Sequence, residues 1–375
     1  MLQIRILPMQ PTKVKELLSF LNEFAPFQLQ ESYDNSGLLA GEPETIITGI
    51  VISLDCTEAV VDEAIQNGCN VVVSHHPILF TPLKSLTGKD HVERTIIKAI
   101  RNEIALIAVH TNLDNVKHGV NAVIADRLGL KNQTILSPIQ GNLLKLVTYV
   151  PESHVGNVLD AMHAAGAGHI GNYSHCSFRS EGTGSFRPGE DAAPFQGKRN
   201  LLEQTKEIKV EVLVPAHLEE PVLKALRESH PYEEVAYFLS STLNRNQDTG
   251  AGMIGTLPEP VNTSDFLQSI KKSLQCQVIR HTPICHEKIQ KVAVCGGSGS
   301  FLLKKAISSG AEVFITADFK YHDFFGAEGK IIIADIGHFE SEQFTKDLLT
   351  GVLSKKFPNF AVTFSKIVTN PISYL

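Results

Sequence analysis

Three stretches place imidazole and carboxylate side chains just after apolar runs: Ser74-His75-His76-Pro77, His110-Thr111-Asn112-Leu113-Asp114 and Gly337-His338-Phe339-Glu340-Ser341-Glu342. Successive side chains of an extended strand point apart, so His75 and His76 suit one ligand to each of two neighbouring ions better than joint chelation of one. Pro77 keeps His76 extended. Taken alone, the pair reads equally well as surface or capping histidines at a strand end. Asp114 alone reads as a turn or cap residue. His338 and Glu342 stand four apart, which puts them on one face of a helix starting near His338, although an isolated pair of this kind is usually a solvated one. Together the three stretches point to a site at the carboxyl edge of parallel strands, where open α/β sheets bind ligands. Five imidazole and carboxylate ligands, His75, His76, Asp114, His338 and Glu342, suit two divalent ions per chain of the Zn²⁺, Mn²⁺, Fe²⁺ or Co²⁺ type better than Ca²⁺ or a thiolate-bound metal. Such ions roughly 3.5 to 4 Å apart would share a hydroxide and polarise a substrate oxygen or ring carbon, as in two-metal hydrolases.

Other residues could assist. Asp318 and His322 follow a strand and could orient ligands or move protons, with surface capping as the alternative. His110 and His322 are the candidate proton carriers. The Cys295-Gly296-Gly297-Ser298-Gly299-Ser300 stretch joins a strand to a helix and could cradle phosphate, but it lacks the P-loop lysine and reads also as a tight turn. Asp34, Asn35 and Gly37 could reach the site or make an ordinary turn. His154, His163, His169, His175, His217 and His230 share no strand-end placement and read as structural or surface residues.

The elements that must position these groups follow from apolar spacing. Val14, Leu17, Leu18, Leu21 and Phe24 recur at helical intervals before Pro26. A strand over 46–54, a helix over 57–67 capped around Asp55 and Thr57 and ended by Gly68, and a strand over 70–74 make a βαβ unit with a parallel strand pair. A shift of 242 positions aligns Ile50 with Val292, Gly68 with Gly310 and Val71 with Val313, with Ala64, Ile65, Gly68 and Val71 identical to Ala306, Ile307, Gly310 and Val313. This spacing predicts an internal duplication, with further strands over 104–109 and 330–334. Between the halves, strands over 143–150, 174–178, 208–214 and 234–239 and helices over 155–165 and 218–229 give the order βαββαβ. A ferredoxin-like domain inserted into an α/β host is expected, with flexible joints over 137–142 and 244–252 and an exposed loop over 182–197.

A length of 375 residues suits two or three domains, and 43% hydrophobic with 20% charged residues is a globular composition. No apolar run approaches the roughly 18 residues of a membrane span. Residues 1–11 lack the basic and apolar regions of a secretory signal, so a cytoplasmic location is expected. The six cysteines form no C-x-x-C pair and are expected to stay reduced. A net charge of −6 with dispersed Lys and Arg argues against a nucleic-acid partner and leaves a small molecule as the expected one.

S-H-H-P, H-T-N-L-D, T-A-D-F-K-Y-H-D, G-H-F-E-S-E and Y-D-N-S-G-L resemble the motifs of the GTP cyclohydrolase I type 2 homologue family, the NIF-three-like dinuclear metal-centre proteins. The resemblance spans nearly the whole chain. It implies that His75 and His338 bind one ion, that His76 and Asp114 bind the other, and that Glu342 bridges; zinc is the expected metal. Ala317 departs from the glycine common before the acidic residue, which bears on the local turn. Tyr173-Ser174-His175-Cys176 and His230-Pro231-Tyr232-Glu233-Glu234 resemble the PII-like or CutA-like domain of longer members. The implied layout is a discontinuous metal domain, 1–140 with 248–375, and an insert, 141–247. The resemblance further implies a hexameric ring and a metal-dependent hydrolase opening the guanine ring of GTP or acting on a related nucleotide. The alternative is a regulatory or metal-handling protein without turnover that senses a metabolite or partner through its insert.

Overall fold

The computed structural model describes residues 11–375, so the reading of the first ten residues as no secretory signal falls outside the described residues. Among those described, no helix is long and apolar enough to cross a membrane. The strands in chain order are β1 (Gly37–Ala40), β2 (Gly49–Ser53), β3 (Val71–Ser74), β4 (Ala105–Ala108), β5 (Lys131–Gln140), β6 (Leu143–Val150), β7 (Ser177–Phe186), β8 (Glu203–Pro215), β9 (Tyr237–Ser241), β10 (Arg245–Asn262), β11 (Arg280–His281), β12 (Lys288–Ser298), β13 (Val313–Ala317), β14 (Ile332–Asp335) and β15 (Ala361–Phe364). The helices are α1 (Val14–Phe24), α2 (Glu58–Gln66), α3 (His91–Arg101), α4 (Thr111–Asp114), α5 (Val120–Arg127), α6 (Val155–Ala164), α7 (Glu219–Ser229), α8 (Thr263–Ser273), α9 (Leu303–Ser308), α10 (His338–Glu342) and α11 (Thr345–Lys356). The described residues form a mixed α/β fold with three sheets. It divides into two compact units, one made of the chain up to Ser137 and from Thr249 onward, the other of Pro138–Asp248.

The first unit holds two sheets, ordered β1-β4-β3-β2-β15 and β11-β14-β13-β12-β10-β5. In one, parallel pairing sets Ile50 opposite Val71; in the other it sets Val292 opposite Val313, the same register after the 242-position shift. Both parallel runs end on an antiparallel edge, β1 on β4 and β11 on β14. Side-chain alternation then decides the layers. Ile50, Ile52, Val71 and Val73 join Val292, Val294, Val313 and Ile315 in one core between the sheets. The intervening Val51, Val72 and Leu106 pack outward under α2 and α3, and Ala293, Phe314 and Ile333 pack on the far side with α9. Strands buried on both faces must be apolar at nearly every position, which is why they read as continuous runs.

The loop between β3 and α3 is held by one carboxylate. Glu93 is buried and accepts from the Thr87 and Gly88 amides at 2.8 and 2.9 Å and from the Thr87 hydroxyl at 2.9 Å. Those bonds, the Thr87 amide foremost, depress its carboxyl from 4.5 to about 2. A group depressed on folding contributes stability above its unfolded value and loses it as the pH falls toward the folded one. Hydrogen exchange at the Thr87 and Gly88 amides is therefore expected to accelerate, relative to intrinsic rates, between pH 4.5 and about 2. Glu93→Gln should show fast exchange at neutral pH, and unchanged protection there would remove this role.

In the second unit all neighbours in the sheet β7-β8-β6-β9 are antiparallel, and the chain order is βαββαβ. Helices α6 and α7 cover one face through Val158, Met162, Val222 and Leu226, which pack on Leu146, Val210, Val212 and Val214. Two expectations need correction. The strand predicted over 174–178 begins at Ser177 and continues to Phe186, so Gly182 and Gly184, expected in a loop, are paired with Glu207 and Thr205. A Cβ on Gly184 would lie 2.2 Å from the Glu207 carboxylate, so the glycine makes room for a cross-strand side chain. The expected flexible joints are largely extended strand, with β5 running to Gln140 and β10 starting at Arg245.

Candidate metal centre

The strand ends of the two sheets in the first unit converge on one cavity of about 590 Å³. The chain leaves β3 at Ser74, and the next two amides continue the ladder to β2, His75 N–H donating to Ser53 O at 3.2 Å and His76 N–H to Leu54 O at 2.9 Å. This fixes the two imidazoles at the sheet edge. His75 is fully buried and its Nδ1 donates to Val109 O at 2.8 Å. His76 Nδ1 donates to Asp55 Oδ1 at 2.7 Å, His338 Nδ1 to Asp318 Oδ2 at 2.6 Å, and His110 Nδ1 to Asp34 Oδ1 at 2.7 Å. A histidine whose Nδ1–H is held by a carbonyl or carboxylate presents Nε2 to a metal, the usual outer arrangement of metal-binding imidazoles.

The Nε2 atoms gather around Glu342. Its Oε2 lies 2.9 Å from His76 Nε2, 3.1 Å from His338 Nε2 and 3.9 Å from His75 Nε2. His76 Nε2 and His338 Nε2 are 3.2 Å apart, and His75 Nε2 is 3.7 Å from Asp114 Oδ1. Both His75 Nε2 and Asp114 Oδ1 are buried with no hydrogen-bond partner among the described residues. Leaving such an atom unpaired costs about 1–3 kcal/mol. The donor set fits divalent cations in two groups that share Glu342, one of His75 and Asp114, the other of His76 and His338. His110 closes a third group with His75 and His76.

All five residues expected as ligands are thus brought together, in groups that differ from the pairing the resemblance implies. His75 turns beneath the edge toward Asp114, the last residue of α4, while His76, the next residue, faces the other sheet, where α10 supplies His338. Of the two candidate proton carriers, His110 lines the cavity and His322 does not. His322 is exposed and lies against Tyr321 and Phe325, at ring separations of 5.2 and 6.2 Å. Asp318 orients His338, and the left-handed backbone falls on Asp318 itself (φ 59°), so Ala317 finishes β13 without strain.

The glycine stretch is a cradle for α10. Gly297 has φ 59°, and a Cβ there would stand 2.4 Å from Glu342 Oε1 and 3.2 Å from His338 Cε1. Its amide donates to Ser341 Oγ at 2.9 Å and the Gly296 amide to Asn121 Oδ1 at 3.0 Å, so neither is free for phosphate. Sequence reading missed these contacts and the role of Asp55. Thr57 alone caps α2, while Asp55 holds His76 and accepts from Thr369 Oγ1 at 2.5 Å. The available signal was a fourth strand end, β2, followed closely by a carboxylate.

Electrostatics follow from this packing. Burial lowers the His75 pKa despite Glu342. Burial also opposes charge on His76 and His338, but Asp55 and Glu342 raise the first to about 9, and Asp318 and Glu342 raise the second to about 11. Burial and the Glu342 charge push the Asp114 carboxyl well above its ordinary range, whereas Glu342 overcomes its own burial through the three histidines and lies well below. In the metal-free chain the histidine protons occupy positions a cation would take, so uptake should release protons and weaken toward acid. Asp318→Ala would leave His338 Nδ1 unheld, with an expected loss of about 10- to 100-fold in metal affinity. Competition against a chromophoric chelator checks this, and unchanged affinity would remove the orienting role.

The family model for Duf34/NIF3 (NGG1p interacting factor 3) matches residues 12–371. A Halalkalibacterium halodurans protein described as a GTP cyclohydrolase 1 type 2 homolog is 38% identical over 365 residues, covering 96% of this chain and 98% of that protein. Among solved structures, a Bacillus cereus protein related to NIF3 is 37% identical with a TM-score of 0.85, covering 98% of this chain and 100% of its own. A Staphylococcus aureus protein of known structure is 33% identical with a TM-score of 0.77 and the same coverage.

Proposed function

Because the chain belongs to the Duf34/NIF3 family, we propose that it holds two divalent cations, zinc foremost, and acts as a metal-dependent hydrolase on GTP or a related nucleotide or phosphorylated small molecule. His75 and Asp114 serve one ion, His76 and His338 the other, and Glu342 both. The observation that carries this reading is the pair of buried, unpartnered donor atoms, His75 Nε2 and Asp114 Oδ1, beside Glu342. Bound ions would polarise a substrate oxygen or ring carbon.

The chain's own residues supply the rest. His110, tied to Asp34 through Nδ1, keeps Nε2 available to take or give a proton. Tyr33, Phe80 and Phe301 line the cavity with exposed rings that suit a flat base. That the relatives are described as GTP cyclohydrolase 1 type 2 homologs supports a nucleotide as substrate.

The wider assignment is a metal domain of 1–140 and 248–375 and a ferredoxin-like, PII- or CutA-like insert of 141–247, in a cytoplasmic homohexamer. The four-stranded βαββαβ unit supports the insert; the resemblance of the motifs supports the ring. The test is turnover of GTP and a nucleotide panel by metal-loaded protein, with Glu342→Ala as control. Turnover confined to the unsubstituted chain is expected. Equal rates, with metal retained, would contradict hydrolysis and leave the regulatory or metal-handling alternative.

A further inference from the structure

The second unit has a cavity of its own, about 780 Å³, on the face of its sheet opposite α6 and α7. Strand alternation puts Tyr149, Glu207, Lys209 and Phe238 on that face, and the chain after β7 together with the segment after α7 closes the other side. The walls are aromatic. Tyr149 and Phe238 pair at 6.3 Å, while Tyr232 lies 6.5 Å from Phe186 and 6.1 Å from Phe195. Volume and apolar walls match small-molecule sites, which run from about 300 to 1,000 Å³.

The polar groups choose the ligand. Glu207 Oε1 accepts from Tyr232 Oη at 2.8 Å, and Gly184 leaves the space its other oxygen needs. Burial and Glu207 raise the Tyr232 phenol to about 12, so it remains a donor. Glu181, Glu233 and Glu234 add negative charge to the lining, against Arg187 and Lys209, and Lys209 is already paired with Glu211 outside the cavity. Such a lining repels phosphate and favours a ring that carries N–H donors.

We propose that this cavity binds an unphosphorylated, amino-substituted heteroaromatic molecule, its ring between the aromatic walls and its amino edge donating to Glu207. This assignment stands apart from the metal centre and does not require turnover there. Titration of the full-length protein with 2-aminopurine riboside, followed by its fluorescence, tests it. Saturable binding is expected, at least about tenfold tighter than for purine riboside, which lacks the amino group and would leave the carboxylate unpaired. Phe195→Ala, at an exposed position, and Glu207→Gln, which keeps an acceptor for Tyr232, should each weaken binding at least about tenfold; Glu342→Ala should leave it unchanged. The absence of saturable binding, equal affinity for purine riboside, or binding lost in Glu342→Ala but kept in Glu207→Gln would overturn the proposal. So would a smaller particle by light scattering for Phe195→Ala without any probe binding to the original chain, because a second copy would then occupy the cavity.

Discussion

Glu342→Ala is expected to lower metal content from the proposed two ions per chain to nearly none, with affinity falling by more than about a hundredfold, the upper end of the loss when only an outer partner is removed. The reason is geometric. One carboxylate oxygen lies within 3.9 Å of three imidazole nitrogens drawn from both sheets, so its loss removes a ligand from each group at once. His338→Ala, by contrast, touches only the group with His76 and should spare one ion. Metal analysis after gel filtration distinguishes the two variants, and full loading of Glu342→Ala would contradict the shared role.

The second large effect involves no ligand. Gly297→Ala adds a methyl 2.4 Å from Glu342 Oε1 at a backbone position with φ 59°. The carboxylate cannot yield without leaving its histidines. A left-handed conformation alone costs an ordinary residue about 1–2 kcal/mol. Thermal unfolding at lower temperature is expected, together with metal loading reduced at least about tenfold although every ligand remains. Gly351→Ala is the comparison, because a methyl there meets nothing within 4 Å in the middle of α11 and should raise helix stability by up to about 1 kcal/mol. Normal loading in Gly297→Ala would show that α10 does not depend on this close approach.

Much of this was legible in the sequence because parallel strands buried on both faces announce themselves as apolar runs, and the candidate ligands sit at their ends. The 242-position shift was visible for the same reason: the registers Ile50 with Val71 and Val292 with Val313 repeat the same burial demands. The grouping of these side chains was not legible. Whether His75 meets Asp114 or His338 depends on how one sheet edge turns toward the other, and local spacing contains no such information. Asp55 was hidden because a carboxylate just before a helix is ordinarily a cap. Gly297 was hidden because a turn glycine and a glycine that admits a carboxylate look alike until the carboxylate is placed. Gly182 and Gly184 misled for a related reason, since their strand is completed by the partner β8 rather than by their own propensity.

The most direct test of the metal centre is diffraction from metal-loaded crystals on either side of the zinc absorption edge. Two anomalous peaks per chain are predicted, one bounded by His75, Asp114 and Glu342 and the other by His76, His338 and Glu342. A single peak, or peaks away from Glu342, would contradict the account.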